Sequence, residues 1–456
     1  MKVQQTTQQF GIRFWSLLIV LLFITGMGAR PIRADMSPVN YESDQIVVKI
    51  MPTAVIDEIN SRYSTSTVRR LLNNADIYLL QAASAANVAE TVDAMSNDPD
   101  VQYAELNLIA SAPEASGRDI YGWPEGSAGA NPQQTDVNPR LHFKWEISGS
   151  DSTYYYEQPA VHQIKSNQSF SQGSGIVVAI LDTGIDLDHP ILINNIIDNG
   201  YDFIDNDAVP EDEFNNLDDD GDGFIDEAAG HGTHVAGIVH LVAPSAQIMP
   251  LRVLDSDGQG NSFVIAEAML YALENGADVI NLSSGTTRQS QFLLDVVEQV
   301  TAGGIVVVAA AGNLNEDTPQ YPAAAACALA VTAVGPGRVK ADYANYGAWV
   351  DLVAPGERIY STYPDGVFAW WNGSSMATPF VAGQVALIHS HSPSLTLEEV
   401  GQLIAGTAES LDNANHNYNG LLGAGLIDIQ DSLEHLVNGT WPDTSLNPLE
   451  GCNQGS

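Results

Sequence analysis

Ser374 and Ser375 stand side by side in WNGSSMATPFVAGQVALIHS, immediately ahead of a long apolar stretch of helical composition. A serine at a helix start has an exposed hydroxyl and faces backbone N–H groups that lack intrahelical partners. Taken alone, that pattern describes a helix cap equally well. Pro379 falls in the expected first turn, where its missing N–H costs little. A hydroxyl is a weak nucleophile until a base removes its proton, and an imidazole base works best when a buried carboxylate fixes its tautomer. Asp182, which closes the apolar run GIVVAILD, is a candidate for the carboxylate, and His231, which opens HGTHVAG, for the base. Asn313, after AAAG, can offer an amide to a developing oxyanion, a donor worth about 10²–10³ in rate.

A second chemistry lies just upstream of His231. The run Asp218-x-Asp220-x-Asp222-Gly223-x-Ile225-Asp226 follows the start of a calcium loop of the EF-hand type. Alternate carboxylates there converge on a hard cation, and glycine permits the tight turn. Its twelfth position is Ala229, so a closing ligand must come from elsewhere, with Glu227 and Asn216 as candidates. The competing reading is a solvated acidic turn. A zinc hydrolase would instead use His231 and His234 as ligands, but the glutamate of an HExxH motif is missing between them.

Asp182, Ser283 and Asn313 each end a short, β-branched, apolar run: GIVVAILD, ADVINLSS and GIVVVAAAGN; QIMPLRVLD is a fourth such run. Helical segments alternate with these runs: HVAGIVHLV, SFVIAEAMLYALENG and SQFLLDVVEQVTAGG. The alternation predicts an α/β fold, doubly wound around a mostly parallel sheet buried on both faces. Ligand sites in such sheets lie at the carboxyl ends of the strands, where these three residues fall. Residues 45–110 read as a separate small unit: strand QIVVKI, helix VIDEINSRY, strand ADIYLLQ, helix ANVAETVDAM and strand VQYAELNLIA. This order predicts a ferredoxin-like α+β sheet with helices on one face. The stretch that follows, to residue 145, is rich in Gly, Pro, Ser and Asn, and reads as an exposed, cleavable linker.

VAILDTGID, HGTHVAG, VINLSSG, AAGN and GSSMATP together resemble the successive signatures of the subtilisin-like serine proteases of family S8, in that family's order of Asp, His, Ser. The resemblance spans roughly residues 160–437, with GAGLIDIQDSL resembling the closing helix. It implies a serine endopeptidase in which Asp182 orients, His231 is the general base and Ser375 the nucleophile. Asn313 would form the oxyanion hole with the Ser375 N–H. Ser374 stands where a threonine is more usual. Gly258, Gln259 and Gly260 resemble the family's substrate-pairing edge, and Ser283, Ser284 and Gly285 the facing segment. A peptide held between two backbone edges gains affinity with little sequence selectivity. Gln320, just before Tyr321-Pro322, stands near the base of the primary pocket, which it would shorten or polarise; a slip of register in a shortened loop is the alternative. The familiar calcium aspartate is replaced by Ile191, and the familiar calcium loop after HVAG is missing. The acidic insertion, with Asp218, Asp220, Asp222 and Asp226, is then the expected structural calcium site. The small N-terminal unit resembles the family's inhibitory propeptide, either cut away in the linker or kept as an accessory domain.

The chain has 456 residues, with 17 basic against 56 acidic side chains and a net charge of −39. Such a surface repels nucleic acid and anionic membrane; the resemblance implies polypeptide substrates and the chain's own propeptide as the partners of a monomer. Residues 1–34 have the layout of an export signal, with cleavage after Ala29 or Ala34; the apolar run is short for a membrane span, and a retained anchor is the alternative. The protein is expected to be secreted. The boundaries expected are a propeptide at 40–112, a linker with the maturation site at 113–145, a catalytic domain at 146–437 and a polar tail at 438–456. Cys327, in an apolar run, and Cys452, in the tail, are expected to remain unbridged, with a bridge between the two as the alternative. Two other classes stay open: an inactive scaffold that binds proteins, and a calcium-dependent surface-binding protein.

Overall fold

The computed structural model describes residues 40–114, 146–150 and 152–452. The expected export signal and most of the linker lie outside the described residues.

At the centre is a seven-stranded sheet in the order Leu352–Pro355, Ala328–Val334, Val306–Ala310, Val279–Leu282, Val177–Asp182, Gln247–Arg252, Tyr201–Asp202. Every pairing in it is parallel. Helices His231–Val242 and Ser374–His391 lie in one apolar cluster, and Ser262–Glu274 with Gln291–Ala302 in the other. The runs are apolar at consecutive positions because both faces of the sheet are covered. Strands Ala328–Val334 and Leu352–Pro355 extend the sheet beyond the four runs read from the sequence.

Helix Ser374–His391 begins with the paired serines, so Pro379 is its sixth residue and sits inside it, beyond the expected first turn. A proline there leaves the carbonyl four residues back without its helical donor. That carbonyl belongs to Ser375, and Ser283 Oγ donates to it at 3.1 Å. The proline therefore frees a backbone acceptor by which the end of strand Val279–Leu282 is tied to the helix start.

The N-terminal unit has the order strand Tyr41–Ile50, helix Ile56–Tyr63, strands Thr65–Arg70 and Ile77–Ala82, helix Val88–Met95, strand Val101–Ser111. Thr65–Arg70 is an added strand; its polar TSTVRR gives no apolar alternation to read. The sheet does not end within the unit. Its edge strand Val101–Ser111 pairs antiparallel with Gln259–Asn261 of the larger unit, so Gln259–Asn261 serves as a fifth strand. The same strand caps two helices of the larger unit. The Glu105 carboxylate accepts from Ser290 Oγ and from the N–H of Gln291, both at 2.7 Å. Asn107 Oδ1 accepts from Ser262 Oγ and Phe263 N–H. Unpaired N–H groups at helix starts favour such acceptors, the anionic one most. Lys49 with Asp295 and Arg69 with Glu267, each at 2.7 Å, add ion pairs across this contact.

Cys327 and Cys452 are joined in a disulfide with Cα atoms 5.6 Å apart, which corrects the expectation that they stay unbridged. The tail after helix Ile429–Asn438 folds back because Leu449 is fully buried, and this delivers Cys452 to its partner.

Candidate active site

Strand Val177–Asp182 ends at its carboxyl edge with Asp182, and helix His231–Val242 starts where that edge is closest. Gly232 makes the approach possible: a β-carbon there would stand 2.1 Å from the Gly184 carbonyl oxygen and 3.0 Å from Asp182 Cβ. His231 Nδ1 lies 2.6 Å from Asp182 Oδ1, with both residues fully buried. Asp212 clamps the surroundings. It accepts from Gly230 N–H and Thr233 Oγ1, at the helix start, and from Thr183 Oγ1, beside Asp182. His234 is a packing residue, its Nε2 donating to the Ala369 carbonyl at 3.1 Å and its ring against Trp371. Burial, followed by the nearby charge of His231, pushes it down to about 3, so it stays neutral. The two histidines point to different partners and do not form a metal pair.

Asn313 follows strand Val306–Ala310, and its amide is fixed from behind: Ser374 N–H donates to Asn313 Oδ1 at 2.9 Å, while Gly312 N–H donates to Ser374 Oγ at 3.0 Å. Asn345 holds the same loop by accepting from Leu314 and Glu316 N–H and donating to the Ala311 carbonyl. The amide nitrogen of Asn313 is thereby aimed at the front of Ser375.

What stands there is a residue the sequence reading missed. Glu114, just beyond strand Val101–Ser111, puts its carboxylate among all three groups. Ser375 Oγ donates to Glu114 Oε2 at 2.6 Å, His231 Nε2 lies 3.2 Å from the same oxygen, and Asn313 Nδ2 donates to Oε1 at 2.8 Å. Glu114 is buried, and a β-carbon on Gly373 would collide with it. Burial disfavours a charged His231, but the charge and hydrogen bond of Asp182, joined by Glu114, outweigh it and push the imidazole up to about 10. In this form the site holds an imidazolium between two carboxylates. No alternation or motif marks Glu114 in SAPEASG; only its place three residues past the pairing strand could have drawn notice.

The backbone leading to Glu114 lies between the two expected edges. Ser111 and Gly285 exchange both N–H bonds at 3.0 Å, and Ala112 N–H donates to the Gly258 carbonyl at 2.9 Å. Ala110 pairs with Gly260 and Ser111 with Gln259. Ser283 faces the helix start, and Ser284 is buried beside it. Gln320 is wedged between the walls behind them: a β-carbon on Gly285 would lie 3.0 Å from its Oε1, and one on Gly312 2.9 Å from its Cδ.

In the acidic insertion, Asp218, Asp220 and Asp222 offer carboxylate oxygens all within 4.8 Å of one another. Gly221 and Gly223 adopt positive φ, and their N–H groups bond Asp218 Oδ1 and Oδ2. Asp226 stands apart, its carboxylate accepting from the N–H of Asn215 and Asn216. Two oxygens beside the cluster lack hydrogen-bond partners among the described residues: Glu227 Oε2 and Oδ1 of the fully buried Asp257. Burial, then the charges of Asp222, Asp257 and Asp220, push Glu227 up to about 8. An all-oxygen set with one unpaired oxygen on each of Asp257 and Glu227 suits a hard divalent cation of calcium size.

Comparison with known proteins identifies the family. Residues 173–455 match the model of the subtilase family, and residues 30–107 that of the fervidolysin N-terminal prodomain. Thermitase from Thermoactinomyces vulgaris is 37% identical over 275 residues, covering 57% of this chain and 93% of thermitase. The thermophilic serine proteinase of Bacillus sp. strain AK1 is 35% identical over 336 residues, covering 71% of this chain and 72% of that protein. The crystal structure of a cold adapted subtilisin-like serine proteinase aligns with a TM-score of 0.51 at 29% identity, over 57% of this chain and 90% of that one.

Proposed function

Since the chain belongs to the subtilase family and carries a fervidolysin-type prodomain, we propose that it is a secreted serine endopeptidase made as a self-inhibited zymogen. One observation carries the reading. A single carboxylate oxygen is within reach of both Ser375 Oγ and His231 Nε2, while His231 Nδ1 stands on Asp182. When Glu114 leaves, the two groups that share its oxygen are left facing each other.

The chemistry then follows from the residues. Ser375 Oγ attacks the scissile carbonyl carbon as its proton passes to His231 Nε2, and the carbonyl oxygen becomes an oxyanion held by Asn313 Nδ2. Asp182 keeps the imidazole in the correct tautomer and stabilises its charged form. As the C–N bond breaks, His231 returns the proton to the leaving amine, giving an acyl-enzyme. Water, activated by the same imidazole, then releases the acid and restores Ser375. The substrate is an extended chain paired between Gly258–Gly260 and Ser283–Gly285, the place occupied by Ile109–Ala112. Gln320 shortens the primary pocket and gives its base a polar lining, which favours small or polar side chains there.

Asp218, Asp220 and Asp222 would hold calcium, which supplies screening of their mutual repulsion and thereby stabilises the insertion next to His231. The disulfide fits an oxidising compartment, in keeping with export. Maturation falls in residues 113–145.

A fluorophosphonate probe tests the reading. Matured protein should be labelled at Ser375, Ser375→Ala should not be, and the intact chain should label slowly. Rapid digestion of an unfolded protein by Ser375→Ala would overturn it.

A further inference from the structure

The acidic insertion and the peptide-pairing edge are physically joined. Strand Gln259–Asn261 pairs with Ile109–Ser111 through its backbone. The side chain of Gln259 turns to the insertion, where its Nε2 donates to Asp220 Oδ2 at 2.8 Å. Two residues upstream, Asp257 Oδ2 accepts the Asp219 N–H at 2.5 Å. Between these two residues the Gly258 carbonyl accepts from Ala112. Ala228 N–H, on the far stem of the insertion, donates to the Ser256 carbonyl at 2.9 Å. Neighbouring residues of one short segment thus alternate between the insertion and the bound chain.

The segment also brings an acid that the loop motif does not contain. Asp257 is fully buried and Glu227 half-buried, and Asp257 Oδ1 and Glu227 Oε2 have no hydrogen-bond partner among the described residues. An unpaired buried carboxylate oxygen is costly unless a cation or a donor meets it. Five carboxylates, on Asp218, Asp220, Asp222, Glu227 and Asp257, repel one another unless a cation lies among them. The links closest to that repulsion are Asp220 to Gln259 and Asp219 to Asp257.

Building on the calcium reading, we propose that Asp257 and Glu227 complete the cation site, and that its occupancy governs how tightly the cleft holds an extended chain. The coupling runs through Asp220 and Gln259 to the backbone of residues 258–261. The metal then controls peptide affinity as well as thermal stability, and acts on substrate and prodomain alike.

The test uses the full-length Ser375→Ala protein, stripped of metal, with calcium chloride titrated in and followed by calorimetry. Asp257→Asn and Glu227→Gln should each weaken calcium binding by more than about tenfold, whereas Gln259→Ala, which removes only a partner of one ligand and the coupling itself, should weaken it by about tenfold at most. Amide hydrogen exchange supplies the second readout. Calcium should slow exchange in residues 109–112 and 258–261 by about tenfold, and Gln259→Ala should lose that protection while still binding calcium. In matured active enzyme the corresponding change is a raised KM on calcium removal with kcat nearly constant. Calcium that binds and raises Tm without slowing exchange at these residues would overturn the coupling and leave the calcium site standing. Unchanged calcium affinity in Glu227→Gln and in folded Asp257→Asn would overturn the enlarged site. No calcium binding by the parent protein would remove the calcium reading itself.

Discussion

Glu114 meets His231, Asn313 and Ser375 with a single side chain just beyond the N-terminal unit, so its contribution can be separated from that unit's. Glu114→Gln keeps the shape and removes the charge facing His231. The intact variant should label with fluorophosphonate at least about tenfold faster than the parent, because a charge-assisted bond is roughly twice as strong as a neutral one. The pH dependence follows the raised imidazole. Its folded value of about 10 lies above the ordinary 6.5, so the contribution is complete below 6.5 and is lost as pH rises through about 10. Labelling of the intact parent should therefore accelerate on approaching pH 10, a rise that Glu114→Gln should largely lack. In the matured enzyme, Asn313→Ala should lower kcat by about 10²–10³ with little change in KM, the signature of a donor used mainly in the transition state. Asp182, His231, Asn313 and Ser375 were legible because each ends an apolar run or opens a helix beside small residues. Glu114 was not, because nothing local distinguishes an acid in a Pro- and Ser-containing stretch.

The elements explain what the short motifs could not. Parallel strands with both faces covered announce themselves as apolar runs, so the core of the sheet was readable, whereas the polar strand Thr65–Arg70 was invisible. Pro379 was placed correctly in its helix but one turn too early. The useful consequence, a Ser375 carbonyl free for Ser283, exists only once two distant segments meet. Asp257 belongs to the same class, since a residue 31 positions from Asp226 in the chain becomes its neighbour only through folding. At this scale the acidic insertion makes its own prediction. Removing divalent cations with EDTA should lower the melting temperature of the Ser375→Ala protein, and restoring calcium should recover it. An unchanged melting curve would argue that the insertion is a solvated turn.

For the molecule as a whole, a net charge of −39 means that compaction works against self-repulsion. Sodium chloride should raise the melting temperature of calcium-loaded protein, as screening lengths fall from about 10 Å at 0.1 M to about 3 Å at 1 M. The Cys327–Cys452 bridge encloses the 125-residue span that contains helix Ser374–His391. A peptidase at working concentration is surrounded by copies of itself, and its exposed turns are substrates like any others. A nick anywhere within that span leaves both fragments tied together by sulfur, with Ser375 still held against the sheet. Such an enzyme outlives its first wounds in an oxidising medium, and a thiol reductant would shorten its working life by way of its own digestion.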